Sequence, residues 1–225
     1  MTGITQEERT EVREMLSHIA VKAEEAVKKT FDALFEHNTE LAEDVIEGDS
    51  EINDLEDAMD QHCITLLALK QPMARDLRLV TSAMKATTEL ERIADLASNI
   101  SGKTCSSYGG NFPMEYKDDI LKASEITQGM IRDSIESFVS RNKRLALKVI
   151  LRDEEIDKLN RRIWKEAFLM MNSDKENVSK ALILSYVSKN LERIADHAVH
   201  IAEMVIYMVE GRIVRHLPPE DIELE

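Results

Sequence analysis

Apolar residues recur at helical spacing along almost the whole chain, with polar residues filling the positions between. Val12, Leu16, Ile19, Ala23, Val27, Phe31 and Leu34 advance in threes and fours, as one stripe of a helix with 3.6 residues per turn requires. Thr5-Gln6-Glu7-Glu8 ahead of them has capping-box spacing and predicts that this helix opens at Thr5. Asn38 or Thr39 starts a second helix with Leu41, Val45, Ile52, Leu55, Met59 and Leu66. It ends before Pro72, because a proline disfavours helix at the residue preceding it. A third helix runs from about Met73 to Ile100 with Leu79, Ala83, Ala86, Leu90, Ile93, Ala97 and Ile100 in alternating steps of four and three. The small residues in that stripe permit close approach of another helix. Ser101 to Pro113 carries turn chemistry without periodicity and reads as a linker. Helices four to six follow at about 114–141, 142–172 and 173–210, and the residues after Gly211, Pro218-Pro219 among them, form a tail. No segment alternates as a strand would.

The second three helices repeat the first three. Leu90-Glu91-Arg92-Ile93-Ala94-Asp95 recurs unchanged as Leu191-Glu192-Arg193-Ile194-Ala195-Asp196. Upstream, Asn38/Asn142, Leu41/Leu145, Val45/Val149, Asp49/Asp153, Glu51/Glu155 and Ile52/Ile156 align at an offset of 104, against 101 in the hexapeptide. The missing three residues fall around Leu69 to Ala74, and a length change there marks a loop. The expected fold is all-α, a tandem duplication of two antiparallel three-helix bundles. Its divisions are a first repeat at 1–104, a linker at 105–113, a second repeat at 114–212 and a tail at 213–225.

Composition supports a helical protein: 7 Gly and 4 Pro in 225 residues, and 4% aromatic against 32% charged. No run of eighteen apolar residues and no signal-peptide pattern is present, so a soluble, cytoplasmic protein is expected. Cys63 and Cys105, one helical and one in the linker, suggest neither a disulfide framework nor a zinc site. The net charge of −14 argues against nucleic acid. The same balance leads to the expectation of no basic patch and of no tight binding to free phosphate.

The hexapeptide preserves a Glu and an Asp four apart, which a helix places on one face. In the third helix Glu91 and Asp95 continue the side occupied earlier by Leu77, Val80 and Met84, so an apolar face turns acidic. Acid pairs at this spacing are common in the chain and ordinarily solvated; Glu7/Glu11 and Glu40/Asp44 are examples. These two differ because the preceding helix carries oxygen donors at matched positions, Asp49 with Asn53 and Asp153 with Asp157. Four such side chains converging from two helices would repel unless a cation lay between them, and oxygen-only ligation suits Mg, Mn, Ca or iron. His200 lies one turn after Asp196, and with Glu203 it is a possible addition to the second set; its counterpart in the first is Asn99. By charge count the second set, with four acids, should hold a cation more tightly than the first, where Asn53 is neutral. A metal-dependent carboxylate-bundle enzyme or a metal store is the alternative. No His follows a Glu at the third position, however, as di-iron bundles require, and no phosphate loop or nucleophile motif is present.

At these residues the chain resembles the PhoU family. The resemblance includes Val45-Ile46-Glu47-Gly48-Asp49, Gln71-Pro72-Met73-Ala74-Arg75-Asp76-Leu77-Arg78, both hexapeptides and Tyr207-Met208-Val209-Glu210-Gly211. Ala94 and Ala195 stand where the family pattern has Gly. The resemblance implies a non-enzymatic regulator of phosphate uptake and of phosphate-starvation signalling. It implies metal ions, iron or zinc, with Mg or Mn as possibilities from the donor chemistry. The ligands carried over are Asp49, Glu91 and Asp95 in the first repeat, with Asn53 in place of an acid, and Asp153, Asp157, Glu192 and Asp196 in the second. The partners it implies are the ATPase subunit of the phosphate ABC transporter, a phosphate-responsive sensor histidine kinase and a second copy in a homodimer. The protein would then reach the inner membrane only through its partners.

Overall fold

A computed structural model describes residues 3–105, 112–215, 217 and 221–222. Among them are six long helices and no strand: α1 (Gln6–Glu36), α2 (Thr39–Lys70), α3 (Arg75–Cys105), α4 (Lys117–Ser140), α5 (Lys143–Ser173) and α6 (Val178–Glu210). Each set of three forms an antiparallel bundle, and the bundles lie side by side through α3 against α6 and α1 against α4. One hydrophobic core runs through both. The α1 and α3 stripes read from sequence are buried throughout. Burying such aliphatic side chains is worth roughly 1.5–3 kcal/mol each.

The helix starts follow from local chemistry, and the repeat extends to them. Thr5 closes the capping box: its hydroxyl accepts from the Glu8 N–H at 3.2 Å, and the Glu8 carboxylate accepts from the Thr5 N–H at 2.7 Å. His37 and Arg141, left-handed at φ 53° and 57°, end α1 and α4. Asn38 and Asn142 then accept from the N–H groups of Leu41 and Leu145 at 3.0 and 3.1 Å, so both repeats turn the first corner with one device. The connections at the second corner, 71–74 and 174–177, are both four residues long, and the three-residue difference is taken up by the flanking helices: α2 is one residue longer than α5, and α3 starts two residues further ahead of its hexapeptide than α6 does.

Three boundaries differ from the sequence reading. α3 continues five residues past Ile100 to Cys105, so Cys105 is helical. The Ser101 hydroxyl is buried 3.0 Å from that of Thr30 on α1, which also sits 3.2 Å from the Ala97 carbonyl; polar residues continue the helix here because α1 satisfies them. Residues 106–111 of the expected linker lie outside the described residues, as does most of the expected tail. A single-turn 3-10 helix at Met114–Tyr116 delays α4 to Lys117. Asp174 is extended and accepts from the Glu176 N–H at 3.0 Å, which inserts a second 3-10 turn and delays α6 to Val178.

Asn38→Ala and Asn142→Ala should each cost about 1 kcal/mol, the usual worth of an N-cap side chain. The sites share no partner, so the double variant should lose the sum. Chemical denaturation of the four proteins checks this.

Candidate metal-binding acid clusters and the interface between repeats

α3 and α6 are buried on two faces, one toward their own bundle and one toward each other. On α3, Val80, Ala94 and Leu96 are buried in addition to the predicted stripe. What remains outside is a narrow strip toward α2 or α5, where the hexapeptide acids stand.

In the first repeat Asp49 and Glu91 are half-buried, whereas Asn53 and Asp95 are exposed. Burial first, and then the charge of Asp95, pushes the Asp49 carboxyl above its ordinary range, while a hydrogen bond from Asn53 opposes this. Glu91 is raised by burial and then by Glu56, Asp95 and Asp49, with Arg92 opposing. In the second repeat Asp153, Asp157, Glu192 and Asp196 are all half-buried. Burial, followed by the charges of Asp196, Asp157, Glu192 and Glu154, lifts Asp153 to about 7. Asp196 is raised by burial and by Glu192, against Lys189 and His200. The helix pairs therefore bring each predicted set together.

One oxygen in each set, Oδ1 of Asp49 and Oδ1 of Asp153, is buried without a hydrogen-bond partner. Buried carboxylate oxygens are ordinarily satisfied, so the donor chemistry fits a hard cation. Asp157 accepts from Arg161 at 3.0 Å, and Glu192 is paired with Lys189, so two acids of the second set already have cationic partners. The sets are nevertheless wide: no three of these acids bring an oxygen apiece within 4.8 Å of one another.

The structure adds one acid to the count on which the expected inequality of the two sets rests. Glu56 stands beside Glu91 and accepts from the Thr88 hydroxyl at 2.9 Å, giving the first set a fourth acid. At the matching position the second repeat has Asn160, which accepts from Ser188 at 2.8 Å. In the sequence Glu56 forms with Asp60 one of the many four-apart acid pairs that read as solvated surface, and it reaches the set from two turns beyond Asp49 on α2.

A second reading also changes. Despite the net charge, Arg13, Arg75, Arg78 and Arg141 gather at one end of the molecule. Burial and then the charges of Arg75, Arg13 and Arg78 hold Arg141 below its usual value, with Asp76 opposing. Asp76 is bound by Arg9 through two hydrogen bonds of 2.9 Å, and Arg78 donates to the Met208 carbonyl at 3.3 Å. A basic cluster thus exists where the charge balance suggested none. Arg13, the neighbouring pair Arg75 and Arg78, and Arg141 come from three distant parts of the sequence, so the cluster left no local signal.

A sequence model of the PhoU domain matches residues 16–104 and again 120–205, one match for each bundle. The chain belongs to the PhoU family. It is 38% identical over 206 residues to the phosphate-specific transport system accessory protein PhoU homolog of Aquifex aeolicus, covering 92% of this chain and 93% of the relative. It is 34% identical over 220 residues to the homolog from Pseudomonas putida, covering 95% of this chain and 85% of the relative, so both likenesses span the two repeats. The crystal structure of PhoU from Pseudomonas aeruginosa superposes with a TM-score of 0.86 at 32% identity, covering 91% of this chain and 98% of that one. That of the phosphate transport system regulatory protein PhoU from Streptococcus pneumoniae gives 0.83 at 26% identity, covering 92% and 97%. Membership of a PhoU family with two repeats and an all-α fold therefore stands as the sequence implied. No helix among the described residues is long and apolar enough to cross a membrane.

The lifted Asp153 sets a pH dependence in metal-stripped protein. Its folded value of about 7 exceeds the roughly 3.9 of an unfolded Asp, so its contribution is full below about pH 4 and is lost as pH rises through 7. Asp153→Asn should accordingly raise the melting temperature at pH 8, with the gain vanishing toward pH 4. Partial exposure and screening limit the effect to about 1 kcal/mol, or about 2–4 °C in a chain of this size. Thermal melts of both proteins at pH 4, 6 and 8 read it.

Proposed function

We propose that this protein is a non-enzymatic regulator of phosphate uptake and of phosphate-starvation signalling, acting in the cytoplasm. The observation that carries the reading is the match of a PhoU domain to each bundle, alongside relatives named for accessory and regulatory roles in phosphate transport. In this reading it joins the ATPase subunit of the phosphate ABC transporter to a phosphate-responsive sensor histidine kinase, as a homodimer. Two rigid bundles fixed side by side suit an adaptor, because each offers its own outer surface at a constant separation.

The acid sets belong to the same proposal as metal sites, Asp49, Glu56, Glu91 and Asp95 in one bundle and Asp153, Asp157, Glu192 and Asp196 in the other. A divalent or trivalent ion there, iron or zinc by resemblance and Mg or Mn by donor chemistry, would relieve repulsion among half-buried carboxylates and stiffen α2 against α3 and α5 against α6. The orphaned oxygens of Asp49 and Asp153 support this reading.

A strain lacking the gene should express phosphate-starvation promoters in abundant phosphate, and plasmid-borne protein should restore repression. Normal repression without the gene would refute the regulator reading. Retention of the transporter's ATPase subunit on immobilised protein checks the partner separately. For the metal sites, calorimetric titration of stripped protein with Mn(II) should show binding that strengthens as pH rises from 6 to 8, by up to about tenfold per unit below the Asp153 pKa, since its proton must leave. Asp153→Asn should flatten that dependence.

A further inference from the structure

The contact between α3 and α6 contains a cluster that belongs to neither acid set. Glu89 of α3 places Oε2 at 2.6 Å from Nδ1 of His197 and 3.2 Å from Nδ1 of His200, both on α6. These three residues offer ligand atoms that all lie within 4.8 Å of one another, and they form the sole such group among the described residues. The spacing of three between the histidines puts both rings on one helix face, with centroids 5.9 Å apart. Side-chain exposures of 17%, 13% and 31% leave His200 the most open member. Beside it lies a cleft of about 530 Å³, lined by Glu89, His200 and Glu203 and by Ile213, Val214 and Arg215.

Two imidazole nitrogens and one carboxylate oxygen make a different ligand set from the oxygen-only clusters. It is the set that Zn(II) takes in three-ligand sites, the fourth position being left to water or an incoming ligand. Tetrahedral ligation at ordinary zinc distances separates ligand atoms by about 3.3 Å, so the His200 contact already matches and the His197 contact need open by less than an ångström. The cleft supplies both the entry path and the space for the fourth ligand. Nothing equivalent exists at the symmetry-matched positions, where Glu89 corresponds to Asn190, His197 to Leu96 and His200 to Asn99. The duplication thus holds two acid sets but one mixed cluster, and that cluster draws a ligand from each repeat.

We propose that Glu89, His197 and His200 form a mixed nitrogen–oxygen site for Zn(II) or a similar borderline divalent cation, clamping one repeat to the other. The inference is independent of the regulatory role and of metal in the acid sets. A bound ion would tie α3 to α6 through three bonds and make their packing depend on metal supply.

The test uses untagged, metal-stripped full-length protein, with Co(II) as the spectroscopic probe and Zn(II) as the competitor. A four-coordinate site with two imidazoles gives strong visible absorption, whereas hydrated oxygen-only sites absorb weakly. One equivalent of the strong chromophore, displaced by Zn(II), is expected. His197→Gln/His200→Gln should abolish it, and Glu89→Gln should weaken it, with helical content unchanged. Asp153→Asn/Asp196→Asn should retain it. Absence of the chromophore in the unaltered protein overturns the proposal, as does its survival in the histidine variant or its loss only in the aspartate variant. X-ray absorption of the Zn(II)-loaded Asp153→Asn/Asp196→Asn protein gives an answer that needs no histidine variant: two imidazoles on zinc support the site, and an all-oxygen shell refutes it.

Discussion

The packing of α3 against α6 is the constraint on which the remaining architecture depends. A helix buried toward its own bundle on one side and toward its repeat-mate on the other has little perimeter left for polar residues. This explains why α3 and α6 are dense in small residues, with Ala83, Ala86, Ala94 and Ala97 facing a neighbour in one and Ala181, Ala195, Ala198 and Ala202 in the other. Some of the polar groups inside them are satisfied on their own helix. The Thr87 hydroxyl returns to the Ala83 carbonyl at 3.0 Å, and Asn190 donates to the Tyr186 carbonyl at 2.7 Å. With so little free surface, the acids at Glu91, Asp95, Glu192 and Asp196 occupy the one strip where α2 and α5 meet these helices. There Glu91 and Asp196 are partly desolvated and face like charges, Glu91 those of Glu56 and Asp49 and Asp196 that of Asp157, across the contact. The repulsion is therefore a consequence of the fold's geometry and is not relieved by turning a side chain to open solvent.

Charge is distributed by position along the bundle, which the net figure of −14 conceals. The acid sets lie along the middle of the helices, where no backbone terminus compensates them. The arginines collect near the end at which α3 begins and α6 finishes. Arg78 donates there to a carbonyl in the last turn of α6, where unsatisfied carbonyls carry partial negative charge. Lys143 pairs with Glu210 at 2.5 Å in the same region. Gly211 ends α6 at φ 77°, and a Cβ there would lie 3.3 Å from the Arg78 guanidinium, so the glycine serves both the backbone conformation and the close approach of that cation.

Much of this was legible because it is local. Periodicity located all six helices, and the α1 stripe from Val12 to Leu34 required no knowledge of its neighbours. The capping box at Thr5 and the Asn38 cap are fixed by residues within one turn. The acid sets were legible because duplication wrote them twice. What escaped was decided across helices. Ser101 reads as loop-forming until Thr30 is placed opposite it, and Glu56 reads as one acid among many until α2 brings it beside Glu91. Glu89 and the two histidines are more than a hundred residues apart and have no repeated counterpart. Neither of the cues that worked elsewhere could reach them.

That asymmetry follows from what duplication does to an interface. When two copies of one bundle pack through the same helix, each contact occurs twice, at positions related by the exchange of copies. A change on one copy alters one contact and leaves its mate, so the interface can diverge without losing its overall fit. The hexapeptide acids face within their own bundle and were retained in both copies. The positions facing across have separated: Tyr186 reaches the Asn99 carbonyl at 3.4 Å at one end, whereas at the exchanged positions Lys85 and His200 both line the cleft. Burial raises the Glu89 carboxyl and the two imidazoles pull it down, the net result being about 2, while the Glu89 hydrogen bond lifts His200 against burial. A carboxylate–imidazole contact therefore occurs once, on the side of the interface where α6 carries histidines and α3 carries an acid. Packing common to both copies fixes how far apart the repeats sit, and these unshared residues make the two ends of that contact chemically different.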